Sequence, residues 1–521
     1  MLRKLRIALA AVFLIGITLL FVGIGHGWWG WMAKLQFLPS ALALNFAVII
    51  GILLLTFVFG RIYCSVVCPM GVFQDVVLWI RRTGGKWLQD AQARRLKKLK
   101  ESGSAEKPKV KQYLKRFSYV KEHKWVRYGV LVLSIVSIVL SGQMLIALIA
   151  PYSAYGRIVR SIAGAANGSV APALLITGLV TLVVIFCCAW LWGREYCNTI
   201  CPVGTTLSLV SRFSLFRHTI DTSKCINCGR CGKACKASCI DTKNHRIDYS
   251  RCVDCFDCID NCNEGAIQYR FVGLGNGSGG SSEAKASSDA RPDRVFADGQ
   301  IRKGEKAAGD SRGQSPLKSR RAFLATTALV GTALAAKAQH NQGGLAEVVP
   351  KQNPQRGARL VPPGAGSVKS FYDHCTACQL CVSACPNGVL RPSTDFEHFL
   401  QPEMGYENGW CRPECNACSD VCPAGAIRPL KPGQKQTIQI GLAHVNLELC
   451  FAAKGEASCG NCAYHCPSGA IRMVDMEGCE FKVPTVAEAQ CIGCGSCENL
   501  CPSRPISAIT VRGNSVHHTN A

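Results

Sequence analysis

Residues 60–71 read GRIYCSVVCPMG and residues 193–204 read GREYCNTICPVG, two copies of one frame, G-R-x-Y-C-x-x-x-C-P-x-G. Each copy closes a pair of long apolar runs. The four runs are Arg6–Ile24, Pro39–Phe59, Trp125–Ala150 and Ala171–Trp192, each able to supply the ~20 helical residues that cross ~30 Å of hydrocarbon. Buried core helices are the plain alternative, but runs this apolar are rare in soluble cores. The duplication predicts an α-helical membrane domain at residues 1–213, built as a duplicated helix pair about a pseudo-twofold axis with the two frames close together. The x3 spacing puts both cysteines of a frame on one face of a helical turn, and Pro69 and Pro202 fit helix starts. Cys64, Cys68, Cys197 and Cys201 are therefore read as a redox or metal site. A further cluster or metal, a thiol/disulfide pair and support of quinol chemistry stay open as its forms, beside a purely structural turn.

Working outward, charge orients this unit. Met1–Arg6 and Arg61–Lys124 are strongly basic, whereas Gly25–Leu38 holds one Lys and three tryptophans, Trp28, Trp29 and Trp31, suited to an interfacial belt. Pro151–Val170 carries only Arg157 and Arg160. Both ends of the unit and the basic loop are expected on the cytoplasmic side, with Ala91–Lys111 a solvated helix or disordered. The net charge of +25 invites a nucleic-acid reading. Acids and bases nearly balance from Gln339 onward, however, so the excess lies beside the apolar runs and no nucleic-acid partner is expected.

The 521 residues include 32 cysteines. Such density suggests disulfides in a short secreted chain. Here most stand in C-x-x-C-x-x-C-x-x-x-C runs, a poor way to staple a large fold and a good way to wrap an inorganic cluster. In two-cluster ferredoxins three close cysteines hold one [4Fe–4S] cube, and the fourth ligand comes from the other run. Residues 214–270 read as an α+β ferredoxin-like dicluster domain on the cytoplasmic side. One site would take Cys225, Cys228, Cys231 and Cys262, the other Cys252, Cys255, Cys258 and Cys235, with Cys239 spare and able to replace Cys235. Paired zinc sites are the alternative, but zinc ribbons rarely show three cysteines at x2 spacing with a fourth four residues on. No C-x-x-C-H occurs, which argues against c-type haem.

Residues 341–521 read as a tetracluster ferredoxin-like domain with four runs. They are Cys375, Cys378, Cys381 and Cys385; Cys411, Cys415, Cys418 and Cys422; Cys450, Cys459, Cys462 and Cys466; and Cys491, Cys494, Cys497 and Cys501. The outer runs are regular and the inner two share a lengthened first gap. This suggests nested pairing, with Cys501 serving the first run, Cys385 the last, Cys466 the second and Cys422 the third. Six clusters are expected in all. Cys479 is read as structural, and Cys187 and Cys188 as buried free thiols.

Between these regions, residues 271–316 form a flexible linker. The GLGNGS that opens it at residue 273 lacks a βαβ context, so a dinucleotide loop is rejected. Residues 317–340 look like a twin-arginine export signal, with Arg320, Arg321, Phe323 and Leu324, a short apolar stretch and an A-x-A site ending at Ala338. Placed in mid-chain, it reads as a fusion junction and a membrane segment that puts the tetracluster domain in the periplasm.

Met1–Arg270 resembles the NapH family of membrane polyferredoxins, through its four apolar runs, the Cys64/Cys68 and Cys197/Cys201 motifs and two ferredoxin runs. Ser319–Ser507 resembles NapG, a twin-arginine-exported ferredoxin with four [4Fe–4S] runs. Both accompany periplasmic nitrate reductase. The resemblance implies a bacterial inner-membrane, multi-pass electron carrier, with quinone as substrate, that passes electrons from quinol toward a periplasmic reductase or c-type cytochrome. Quinol dehydrogenase activity is an open expectation. The fusion, the internal signal and the absence of Pro after Cys235 and Cys262 depart from the family pattern. Two rival classes are a cytoplasmic-face metal-ion reductase and a maturation or regulatory factor for a periplasmic redox enzyme.

Overall fold

A computed structural model describes residues 2–101, 117–140, 143–167, 171–273 and 349–520. The twin-arginine-like segment at 317–340 and nearly all of the linker lie outside the described residues. Met1–Gly279 and Lys351–Ala521 together form one compact unit.

The apolar runs fold as helices, with a correction to the four continuous spans expected. Helix α1 (Leu2–Val22) is unbroken. Helices α2 (His26–Lys34) and α3 (Phe37–Leu42) occupy the link after it. The second run breaks at Leu44, which takes a left-handed φ of 53°, and restarts as α4 (Phe46–Phe59), where Asn45 caps the Val48 amide at 3.4 Å. After the short α5 (Tyr63–Val66) comes α6 (Pro69–Glu101), 33 residues long, so much of the expected basic loop is helix. The third run is divided between α7 (Lys124–Val139) and α8 (Gln143–Ile149). The expected loop at 151–170 is largely α9 (Pro151–Asn167), which packs on α1, α6 and α10. Helix α10 (Pro172–Trp192) is unbroken and precedes α11 (Pro202–Ser211). Only α1 and α10 are long and apolar enough, among the described residues, to cross a membrane unaided.

The ferredoxin regions are small. Strand Phe216–Ile220 pairs antiparallel with Ile267–Phe271 and brackets the first two cysteine runs. Strand Ile438–Val445 pairs with Ile509–Thr519 and holds the later runs together. In both regions a short helix carries the third cysteine of a run: Arg230–Ala234 packs on Asp257–Asp260, Leu380–Ala384 on Ala417–Val421, and Asn461–Tyr464 on Ser496–Leu500.

The two regions meet opposite ends of the helices. At one end, Arg3 of α1 pairs with Asp257 and Asp260, and the Leu215 amide donates to the Phe57 carbonyl of α4. At the other, the Ser383 hydroxyl donates to the Leu20 carbonyl at 3.2 Å, and Ala377 and Leu400 pack with Ala147 and Leu174. Arg3 and Leu20 stand near opposite ends of the 21-residue α1, which separates the two contacts by about 25 Å.

Candidate metal centres

The regular cysteine runs wrap because their backbones turn left-handed at fixed places. Two residues after the first cysteine, φ is 55° at Asn227, 48° at Asp254, 52° at Ala377 and 72° at Gly493. Four residues after it, φ is 65° at Gly229, 61° at Phe256, 68° at Gln379 and 80° at Gly495. Non-glycine residues rarely adopt this conformation, and here it folds the loop around a common centre. The two lengthened runs reach the same end by other turns, since Asn416 and Gly460, which precede their short helices, have φ of −113° and −135°.

Six cysteine quartets result. Cys225, Cys228, Cys231 and Cys262 line one cavity, and Cys252, Cys255, Cys258 and Cys235 line another. Cys239 joins the second, with its Sγ 3.5 Å from that of Cys235. In the C-terminal region the nested pairing is overturned. Cys411, Cys415 and Cys418 share a cavity with Cys385. Cys450, Cys459 and Cys462 share one with Cys501, and Cys491, Cys494 and Cys497 with Cys466. Cys375, Cys378 and Cys381 are within electrostatic reach of Cys422. Pairing is therefore sequential, first run with second and third with fourth. The reason is local: packed neighbouring helices each hand their closing cysteine to the partner, across a short connection that costs little loop entropy. The likeness of the outer runs reflects shared left-handed turns, not partnership.

A single tetrahedral zinc, with Zn–S of about 2.3 Å, draws its thiolates to within about 4 Å of one another. Among the described residues, the one group of three or more His, Cys, Asp or Glu donors lying within 4.8 Å is His218, Cys252 and Asp254. No three thiols of the described residues do so, which does not fit a single zinc held by each quartet. Burial pushes the Cys255, Cys378 and Cys494 thiols up to about 12, and Cys462 up to about 11. Such thiols ionise only when a metal supplies the compensating charge.

Charged partners stand beside several quartets, and sequence reading missed them. His218 contacts Asp254 at 3.3 Å and the Cys252 Sγ at 3.9 Å. Buried Lys236 pairs with Asp75 at 3.4 Å and Asp257 at 3.1 Å, and its charge draws the neighbouring Cys255 down. Lys435 donates to the carbonyls of Arg412 and Cys415, both at 2.6 Å, and lines the Cys411 cavity. None of these carries a spacing signal. Cys187 is exposed and Cys188 half-buried, which corrects the expectation of buried thiols. Cys479 Sγ lies 3.7 Å from the Ala453 carbonyl.

The duplicated frame is reciprocal in space. Gly60 and Gly193 end α4 and α10 with φ of 79° and 77°. Arg61 donates to the Cys197 carbonyl at 3.3 Å, and Arg194 donates to the Cys64 carbonyl at 2.8 Å. Gly71 faces the Cys64 carbonyl and Gly204 the Cys197 carbonyl so closely that a Cβ would stand 2.1 Å from either oxygen. Each half of the frame thus needs the other. Cys64, Cys68, Cys197 and Cys201 are all buried in one core.

A family model for a 4Fe-4S binding domain matches residues 42–86 and 174–220. Models for 4Fe-4S dicluster domains match residues 374–427, and 410–470 with 457–504. The chain is an iron–sulfur protein of the ferredoxin type. More narrowly, it is similar to the NapH polyferredoxins: it is 28% identical to the ferredoxin-type protein NapH of Haemophilus influenzae over 38% of its own length and 55% of that protein. The methylamine utilization ferredoxin-type protein MauN of Paracoccus denitrificans is likewise 28% identical, over 38% of this chain and 55% of MauN. MauN of Methylobacillus flagellatus is 26% identical over 34% and 48%. The chain therefore spans about half the length of the curated relatives it matches. No solved structure matches it.

Proposed function

We propose that the chain is a multi-pass protein of the bacterial inner membrane that relays electrons from quinol toward a periplasmic reductase, through six [4Fe–4S] sites in two ferredoxin regions. The observation that carries this reading is the position of those regions at opposite ends of α1. Helices α1 and α10 expose many large apolar side chains, among them Ile7, Val12, Ile15, Ile176, Val180 and Val183, a surface suited to lipid. The basic N-terminus lies with the dicluster region, so that region faces the cytoplasm and the tetracluster region the periplasm.

When bound, [4Fe–4S] clusters supply reversible one-electron chemistry over a wide range of potentials. Quinol oxidation releases two electrons and two protons, so the electrons travel singly. The chain's residues hold the sites, exclude water and set local charge. His218, Asp254 and Lys236 surround the Cys252 site, and Lys435 stands at the Cys411 site.

The test is anaerobic EPR of the detergent-solubilised, purified protein before and after a menaquinol analogue is added. Reduction of several interacting [4Fe–4S] signals supports the relay. Signals that respond to dithionite and never to quinol overturn quinol as donor.

A further inference from the structure

We infer that Cys64, Cys68, Cys197 and Cys201 together hold one iron–sulfur cluster, shared between the halves of the repeat and set between the Cys252 site and the Cys378 site. The inference rests on the electron-relay reading and supplies what that reading lacks, a carrier between the two ferredoxin regions.

Four observations converge. All six pairings among the four thiols are within electrostatic reach, although the frames are 133 residues apart (Cys64 to Cys197). Each half contributes two cysteines, so neither alone completes a four-thiolate site. A disulfide would account for two of the thiols, not for four facing one another.

The surroundings suit an anion. Arg61 and Arg194 are fully buried. Arg194 pairs with Asp75 at 2.8 Å, a carboxylate it shares with Arg6 and Lys236. Arg61 has neutral partners: the Asn198 Oδ1 at 2.9 Å, the Ser250 and Cys197 carbonyls at 3.0 and 3.3 Å, and the Cys64 Sγ at 3.9 Å. No carboxylate accepts from its guanidinium among the described residues, while Asp254 accepts from its backbone amide. A fully buried guanidinium that pairs directly with no carboxylate is costly, and thiolates around a metal core place negative charge beside it.

Hydrogen-bond donors already point at the sulfurs. Gln74 Nε2 reaches Cys197 Sγ at 3.3 Å, and the Gly204 amide reaches Cys201 Sγ at 3.4 Å. The Gly71 amide does the same for Cys68. Amide donors to ligand sulfur are a recognised means of tuning cluster potential.

The site also lies between the other two. Gly193 rests against the Lys236 carbonyl, and Arg194 is within electrostatic reach of both Cys197 and Cys255. On the other side Tyr63 is within reach of Cys64, Cys68 and Cys201. Tyr152 is within reach of Tyr63 as well as of Cys378 and Cys422. One electron accepted from one flanking site is one electron released to the other; no bond forms or breaks and no proton has to move.

The experiment is iron and acid-labile sulfide per chain in the full-length protein, purified anaerobically in detergent, with Cys64→Ser and Cys197→Ser made separately. The expected result is wild-type iron above the content of six four-iron clusters. Either single substitution removes the whole excess and leaves the six ferredoxin-type EPR signals in place. Wild-type iron equal to six clusters, or a loss of only half the excess from each substitution, overturns the shared centre. Should either variant fail to accumulate, Mössbauer counting of clusters in the wild type decides between the same outcomes. Iron content is read without quinol, so quinol can fail as donor while the centre stands.

Discussion

At its first turn α1 meets the dicluster region through Arg3, held to Asp257 and Asp260 at 2.9 Å, with Arg82 and Lys236 also on Asp257. At its last turn it meets the tetracluster region through Leu20 and Phe21, in a core shared with Leu380, Ala384 and Val421. One junction is a charge network, buried at Asp257 and Lys236 and partly exposed at Arg3, Arg82 and Asp260, and the other an apolar seam with aromatic edges. The difference teaches how a single helix can dock two similar cluster-binding folds without confusing them, because each fold presents the wrong chemistry to the wrong end. It also places cationic groups around the Cys252 site and leaves the Cys378 site with the uncharged neighbours Phe21 and Tyr152, so the two junctions set different electrostatic fields at the sites beside them.

The comparison assumes that the helix-facing tetracluster site is closed by Cys422, and the sharpest break comes from removing that ligand. Cys422→Ser should lose one whole cluster. The double variant Cys375→Ser/Cys422→Ser should lose no more iron than either single variant, because both ligands serve one site. Two clusters lost in the double variant would restore the nested pairing. Iron analysis with EPR spin counting decides.

Next in size are the junctions themselves. Asp257→Ala strands Arg3, Arg82 and Lys236 and should cost about 3–5 kcal/mol, the usual penalty for breaking a buried pair. Phe21→Ala should cost a similar ~3–5 kcal/mol through its cavity. The two separate by salt: raising ionic strength should narrow the Asp257→Ala deficit against wild type and leave the Phe21→Ala deficit unchanged. Thermal denaturation of the detergent-solubilised protein measures both. An equal response to salt would dissolve the distinction drawn between the ends.

A smaller effect is expected at Lys435, buried beside the Cys411 site. Lys435→Met removes a cation that favours the reduced, more negative form, and should lower that site's midpoint by on the order of 60 mV, a tenfold change for one electron. A potentiometric EPR titration reads it. No shift would mean that the lysine serves only the Arg412 and Cys415 carbonyls.

How much of this was legible in the sequence follows from how local each feature is. The three close cysteines of each dicluster run could be read because spacing dictates which thiols one loop can wrap, whereas the closing thiol of the Cys252 site could not, since Cys235 and Cys239 both line its cavity. The reciprocity of the two frames was half legible: the repeat announced that Gly60 to Gly71 and Gly193 to Gly204 belong together, and Arg61 and Arg194 stood in the frame without a stated task. Hydropathy overstated the helices, because an apolar run does not reveal where Leu44 turns left-handed or where α7 gives way to α8. The tetracluster pairing was misread because resemblance between runs was taken for contact between them, whereas contact is set by helix packing. His218, Lys236 and Lys435 gave no signal, since a charge placed beside a cluster by tertiary packing has no sequence period.

The smallest effect expected is at Tyr152, a polar discord in the apolar junction. Its hydroxyl is buried and has no hydrogen-bond partner among the described residues, while its ring packs 5.2 Å from Phe21. A buried hydroxyl left unpaired costs about 1–3 kcal/mol relative to an apolar group of the same shape. Tyr152→Phe should therefore leave stability unchanged or raise it by up to about 1 kcal/mol, with every cluster signal retained. The ring, not the oxygen, would then be what fills the space between Tyr63 and the Cys378 site, and quinol-driven reduction of the tetracluster signals should proceed at the wild-type rate. A loss of stability would show that the hydroxyl is paired in the membrane. A slower reduction with stability intact would show that it takes part in electron passage, and the seam would be polar at the one point where the comparison makes it apolar.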